Sequence, residues 1–564
     1  MTRGLLAFMG APARAGELAA AAGMAGLCES AAPPGFRIFT GADLTVRTLP
    51  GGAIIIGDMF PRTGTTCDAP SEGWGNYLAF SSRGGVRHVE RAPLTGMTLF
   101  WTRTEGGIFC ASHYELLESH LTVAVDWEFV AHTLAYINLR ADRTGVSDLR
   151  ELLPGMRLTF DGTAAQVAPI WTPWPHVAAA TPLGVRELAP ELERTIIDCV
   201  RHWAGSRPDI VLELSGGLDS SIVAAALAAA GADFSAITFA TPGADGDERH
   251  YARAVADRCG ASLAEIMHDD AGIDLISEPQ RIGPRPAAYG VLGGIDIAFE
   301  QAVPRSGGSV FGGIGGDNIF DFDGTVAPIL DAFSHFGVGR RSFAALRDVA
   351  QAGNATIWEA TRLALRAKWA GARAEWRRDL HYLNAAAMPE RPFAHPWDDG
   401  AETASRAKRN HVESIRRILD FLDRPARWHD RDVVAPLLSQ PIAELCLSIP
   451  SWTWFAGGRD RMVARTAFAR HLPAEIAWRR GKGRLETLCA AAYLRQRVQL
   501  RDLLLGGRLA ERGLLDRPAI ETYLGRDSVE GSFDYFRLIE IADVERWARA
   551  MEARSAGLPN SDQR

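Results

Sequence analysis

Residues 210–221 read IVLELSGGLDSS, and this stretch constrains the fold more than any other. A β-prone apolar run ends at two glycines, and an alanine-rich run begins directly after them. A strand must therefore turn sharply into a helix. Gly216 and Gly217 admit backbone conformations closed to residues with a Cβ, so amide N–H groups can approach an anion closely. Ser215, Ser220 and Ser221 add hydroxyls at the start of the helix, whose N-terminal partial charge favours phosphate. Asp219 would repel a polyphosphate unless a divalent cation lay between them. The loop predicts ATP with Mg²⁺. It is not a Walker A loop, because it has neither the GK[ST] ending nor a lysine.

The surrounding pattern extends this unit into a sheet. Residues 234–240 and 262–267 read as further strands, and 220–230 and 248–259 as helices between them. Strands alternating with helices at this spacing imply an α/β unit with a doubly wound parallel sheet, followed over 330–425 by a helical extension. Before residue 175 the texture differs. Short apolar runs (Ala53–Ile56, Gly107–Cys110) alternate with turn residues, a helix falls near 126–137, and Leu153-Pro154-Gly155 turns into a last strand. The proline-rich stretch from Trp171 to Pro182 separates the two textures. The expected layout is a β-sandwich domain over 1–175 and a synthetase domain over 183–564.

Composition excludes several classes. A net charge of −7 over 564 residues argues against a nucleic-acid binder working through a large basic surface. The seven cysteines, at 28, 67, 110, 199, 259, 446 and 489, form no CxxC pair, which points away from a disulfide framework or zinc site and towards a reducing, cytoplasmic setting. No apolar run approaches the ~20 residues that cross a bilayer, so neither membrane nor nucleic acid is expected as a partner.

A second glycine-rich loop, Phe311 to Asn318 (FGGIGGDN), follows a short apolar run. Gly312, Gly313, Gly315 and Gly316 suit a close backbone approach, and Asp317 could supply a second carboxylate to the metal that Asp219 calls for. Between the loops, Asp247 lies after the second strand, at the edge where ligands bind in open α/β folds, and equally suits a helix N-cap. Together these segments resemble the synthetase domain of the asparagine synthetase superfamily, which includes β-lactam synthetases and lasso-peptide macrolactam synthetases. SGGLDSS resembles that family's pyrophosphate loop, and residues 312–318 its later SGxGADE stretch. Residues 432–438 (DVVAPLL) are similar to its ExRxPFLD element, and 478–483 (WRRGKG) to its C-terminal lysine element. Leu153-Pro154-Gly155 and Phe109 to Ser112 resemble landmarks of its N-terminal amidotransferase-like, Ntn-type domain.

The resemblance implies roles. Asp219 and Asp317 would hold Mg²⁺ on the ATP phosphates, Leu214 and Ala240 would border the adenosine through backbone groups, and Lys482 would stabilise the charge developing at the α-phosphorus. Asp432 would take the place of the family's catalytic acid. The family's glutaminases use an N-terminal cysteine, whereas this chain reads Met1-Thr2 with no cysteine before Cys28. Their glutamine-holding segment is replaced near Trp74-Gly75-Asn76-Tyr77. In β-lactam synthetases a tyrosine in the second glycine loop acts as base, and here that place is Ile314. The favoured expectation is an AMP-forming carbon–nitrogen ligase of the lasso-cyclase kind. It would adenylate an Asp or Glu side chain of a precursor core peptide and let the peptide's own N-terminal amine close the ring. A leader protease and a leader-recognition protein would be its companions. The alternatives are asparagine-forming amidation with ammonia or glutamine, β-lactam-like ring closure, and a scaffold that binds nucleotide without turnover.

Several further residues admit two readings. Arg281, Pro284, Arg285, Pro286 and His268 suit a cleft edge. Arg461 and Arg465, four apart on a helix, could reach phosphate or pair with acids. Arg340, Arg341, Arg347, Arg362, Arg366, Lys368, Arg373, Arg377 and Arg378, with Trp358, Trp369 and Trp376 among them, form either a peptide- or partner-binding surface or a solvated basic face over core tryptophans.

Overall fold

A computed structural model describes residues 3–10, 15–62, 64, 66–121, 123–180, 183–240, 247–267, 270–279, 281–303, 308–322, 324–369, 376–422, 431–481, 486–526 and 533–557. The first third forms two six-stranded antiparallel sheets. Strand Leu5–Gly10 shows how the sequence builds them. Its side chains alternate, so Leu5, Ala7 and Met9 meet Ile54, Ile56, Leu78 and Phe80 of the facing sheet. Leu6 and Phe8 point the other way.

That second face departs from the expected layout. The core containing Leu6, Phe8 and Phe109 also contains Leu500, Leu504, Leu538 and Trp547. Helices Glu486–Leu505 and Asp534–Gly557 therefore close the N-terminal sheet, although they come last in the chain. Asp534–Gly557 buries residues around most of its circumference, among them Leu538, Ile541, Val544 and Trp547. A helix apolar on several sides needs two partners, and the N-terminal sheet is one of them. The last helices of the chain are therefore part of the core of the N-terminal sheet.

The second half carries a five-stranded parallel sheet in the spatial order Ser262–Met267, Phe234–Ala240, Ile210–Glu213, Ser309–Gly312, Val433–Val434. One face lies against Val185–Ala204, Leu218–Ala230 and Arg249–Cys259. The other is met by Tyr289–Ala302 through Phe299, which packs on Ile237 and Val310. Chain order reverses between Ile210–Glu213 and Ser309–Gly312, and such a switch point opens a crevice at the carboxyl ends of the strands. Register pairs Glu213 with Gly312 there, so both glycine loops leave the sheet side by side. Among the described residues no helix is long and apolar enough to cross a membrane.

Candidate active site

The first loop is held by contacts that only glycine permits. Gly216 has φ +74°, and a Cβ there would lie 2.6 Å from Tyr251 Cβ. The next residue, Gly217, is the N-cap of helix Leu218–Ala230 and supplies no side-chain cap, which leaves the helix start open to an anion. Ser215 is exposed, and its backbone N–H donates to Ser220 Oγ at 3.2 Å. Ser221 is fully buried and its hydroxyl donates to Gly217 O at 2.6 Å. Its side chain braces the loop from behind.

The second loop presses into the first. A Cβ on Gly313 would lie 2.3 Å from Ser220 N, and one on Gly316 2.4 Å from Asp219 Cγ. Gly315 sits at φ +86° against Leu438, and Gly312 ends its strand beside Glu213. Asn318 ties the far end down by donating to Ser414 O at 2.9 Å. The interlock delivers the two carboxylates to one place: Arg461 Nη1 reaches Asp219 Oδ1 at 3.5 Å and also donates to Asp317.

Arg461 thus pairs with acids, one of the two readings its sequence position allowed. Asp460 accepts from its Nε at 2.9 Å, and its backbone is left-handed at φ +51°. Burial alone would lower its pKa, but Asp219, Asp317 and Asp460 outweigh that and hold it above the ordinary arginine value. Arg465 is buried and binds Asp460 O and Ala477 O, so it supports Arg461 rather than reaching a ligand. Two carboxylates that converge on one cationic nitrogen fit a Mg²⁺ held by a pair of acids and substrate phosphates. Among the described residues no group of three or more His, Cys, Asp or Glu gathers as a metal cage, as such a shared site requires none.

The nucleotide side is framed by buried groups. Leu214 and Ala240 have buried side chains and could offer a ligand only backbone atoms; the Leu214 N–H is already given to Ile237 O at 2.8 Å. Asp247 accepts from Arg249 N at 3.1 Å, the local role that competed with ligand binding. Lys482 and His268 lie outside the described residues. Arg479 pairs with Glu248 and stacks over Tyr251, 3.9 Å from the ring centroid, and Tyr251 is the residue against Gly216.

Asp432 lies at the opposite edge of the sheet from the glycine loops. It precedes the edge strand Val433–Val434, and its carboxylate accepts from Ser309 Oγ at 2.7 Å and Arg207 Nε at 2.6 Å. Ser309 begins its strand and Arg207 precedes another, so Asp432 sits at the amino edge of the sheet. Ser309 pairs with Ile210 while the loops follow Glu213 and Gly312, so three residues of strand, roughly 10 Å, separate Asp432 from the loops. Burial would raise its pKa, but Arg207 and Arg3 together hold it below the usual carboxylate value. Arg3, at 3.0 Å, and Asp58, reached through Arg207 at 2.6 Å, belong to the N-terminal domain. Asp432 fastens the two halves together and also lines the cavity between them.

Both halves enclose a cavity of about 230 Å³. It runs from Arg3 and Asn76 on the N-terminal side, past Arg281 and Arg285, to Glu213 and Ile314 beside the glycine loops. None of the seven cysteines lines it. Arg285 is fixed by Glu151, a fully buried carboxylate that also receives Arg91 and Arg140 at 2.6 and 2.7 Å. Burial would raise the Glu151 pKa; Arg140, Arg285 and Arg91 reverse this and push it down to about 2. The cluster joins residues from distant parts of the chain, and nothing in their local sequence marks them as partners.

A search among curated proteins finds no matching relative. The family model for asparagine synthase matches residues 191–549, more than half the chain, and takes in both glycine loops, Arg461 and the segment that contains Lys482. Enzymes of that family are ATP-dependent ligases. The interlocked loops, the converging Asp219 and Asp317, and this match lead to one statement: the chain belongs to the asparagine synthase family.

Proposed function

We propose that this enzyme is a macrolactam synthetase of the lasso-peptide kind, which adenylates a side-chain carboxylate of a precursor core peptide and joins it to the peptide's own N-terminal amine. ATP would be cleaved to AMP and pyrophosphate, and the oxygen lost from the carboxylate would leave with AMP. The observation carrying this reading is the cavity that opens on the glycine loops. No thiol lines it to release ammonia from glutamine, and Ile314 stands where a β-lactam synthetase has its tyrosine base. The N-terminal sheets then read as an Ntn-type, amidotransferase-like domain that no longer supplies nitrogen. The amine comes with the substrate.

An α-amino group suits such a site, because its unperturbed pKa of about 7.7–8.0 leaves part of it neutral near pH 7. Glu213 lines the cavity, as Ile314 does, and lies at the carboxyl edge of the sheet next to Gly312; of the lining carboxylates we assign it the uptake of the proton. Mg²⁺ held by Asp219 and Asp317 would offset phosphate charge. Gly216, Gly217, Gly313 and Gly316 would admit the phosphates to the backbone, and Lys482 would meet the charge developing at the α-phosphorus. The remaining contribution is positioning, since the amine must be held against the activated carboxyl. Mass spectrometry of a candidate core peptide incubated with the enzyme, ATP and Mg²⁺ tests the reading. Loss of one water supports it, and formation of asparagine from aspartate and ammonium instead refutes it.

A further inference from the structure

Helix Ile357–Trp369 is attached to the protein by very little. It packs on Ala327–Phe336 and Arg340–Ala352 through Ala360 and Ala364, the buried side chains among its 13 residues. Five large apolar side chains on it face solvent: Trp358 is 84 % exposed, Trp369 78 %, Ile357 48 %, Leu365 42 % and Leu363 39 %. Solitary exposed apolar residues are ordinary, but a group of this size on one short helix is not.

The arrangement around the axis is ordered. At about 100° per residue, Trp358, Leu365 and Trp369 fall within roughly 40° of one another, on the side away from Ala360 and Ala364. The stripe therefore points straight out from the body. Arg362 and Arg366 flank it on one side and Lys368 on the other, all exposed, against a single carboxylate on this helix, Glu359. The neighbouring helix Arg340–Ala352, which packs against this one, also exposes Arg340, Arg341 and Phe343, with exposed Val338 just before it; its Arg347 is paired with Asp348. This cationic, apolar ridge stands on a chain whose net charge is −7.

We propose that this ridge is a docking surface for an anionic lipid bilayer, on which the helix lies flat with Trp358, Leu365 and Trp369 in the interface. Three observations select a bilayer as the occupant. The stripe is the crest of a convex helix, not the floor of a groove, so it fits a broad, yielding surface. Tryptophan is the side chain that best suits the boundary between headgroups and acyl chains, and arginine and lysine beside it can reach the phosphates while their stems stay in apolar surroundings. The charge is complementary to anionic headgroups here, whereas the net negative charge of the rest of the chain is repelled by them, which fixes one orientation. The surface is separate from the glycine loops, and it does not rest on the proposed peptide substrate. It is also a departure from the composition, which offered no membrane partner.

Sedimentation of the purified full-length protein with phosphatidylcholine vesicles, with and without phosphatidylglycerol, is the test. Binding is expected only with the anionic lipid and should fall as salt is raised past the point where the screening length is ~10 Å. The W358A/W369A pair and the R362Q/R366Q/K368Q triple variant should each lower the partition coefficient by at least about tenfold, while the thermal unfolding temperature stays at the wild-type value. That unchanged temperature separates loss of docking from loss of folding. No sedimentation with anionic vesicles, equal binding to neutral ones, or variants that bind like wild type would each overturn the proposal. The first result would assign the ridge to a protein partner.

Discussion

Replacing Gly316 by alanine probes the contact on which the whole site depends. The new Cβ would stand 2.4 Å from Asp219 Cγ and 2.5 Å from Asp219 Cβ. Carbon atoms in contact prefer about 3.5–4.0 Å, so roughly 1 Å of displacement must be found. Asp219 sits in the first turn of Leu218–Ala230, and Gly316 opens the turn that carries Asp317. Whichever side yields, the two carboxylates no longer converge. Overpacking of this kind costs about 1–3 kcal/mol of stability, small enough for a chain of this size to remain folded. The effect on chemistry should be far larger, because a misplacement of ~1 Å can cost about 100-fold in rate. The assay is ATP-dependent pyrophosphate release in the presence of a carboxylate substrate, with thermal unfolding measured in parallel. Gly293→Ala serves as the control. That glycine lies in helix Tyr289–Ala302, and nothing stands within 4 Å of its would-be Cβ, so alanine should be neutral or slightly stabilising. Pyrophosphate release by G316A at the wild-type rate would refute the argument that the loops interlock to place the metal carboxylates.

Other substitutions test other parts of the account. Glu151→Gln leaves Arg91, Arg140 and Arg285 buried without their counter-charge and should cost about 3–5 kcal/mol in urea denaturation. Because folding depresses the Glu151 pKa to about 2, its contribution is fully present above the unfolded value near ~4.3 and is lost as pH falls through about 2. The stability gap between E151Q and wild type should therefore narrow only in strong acid. Asp432→Asn should lower the unfolding temperature, by weakening the links to Arg3 and Arg207, and leave turnover of the folded protein within a few-fold of wild type. A loss of about 100-fold or more in turnover would restore a catalytic role for Asp432. Glu213→Gln should slow closure of the amide by roughly 100-fold, the scale of general-base assistance. It should spare pyrophosphate release, and the lost rate should be partly regained at higher pH.

The sequence exposed the parts of this protein that are local and left obscure those that are not. A glycine pair between a β-run and an alanine run specifies a strand–loop–helix whatever surrounds it, and Ile210–Glu213 and Leu218–Ala230 lie where that pattern puts them. The second loop could be singled out because Gly313, Gly315 and Gly316 are contiguous. Its contact with Asp219 could not, since that depends on two strands lying in register. The place of Asp432 was hidden for a related reason. Its motif specifies a strand start, and only the parallel pairing of Val433 with Val310 reveals that this start faces away from the nucleotide loops. Arg461 could be marked as a candidate for phosphate or acid partners, but its left-handed backbone and which two acids it meets are products of tertiary packing. The tryptophans in the basic region looked alike in sequence, yet Trp376 is buried and Trp358 and Trp369 are exposed. Helices Glu486–Leu505 and Asp534–Gly557 carry no mark of the sheet they cover, since an apolar helix specifies burial but not its partner.

The most direct measurement of the central claim is the mass of a candidate core peptide after incubation with this protein, ATP and Mg²⁺, read alongside the nucleotide products. The account predicts a product lighter by one water, resistant to an exopeptidase at its N-terminus, with AMP and pyrophosphate formed in equal amount. An unchanged peptide, together with asparagine made from aspartate and ammonium, would contradict it.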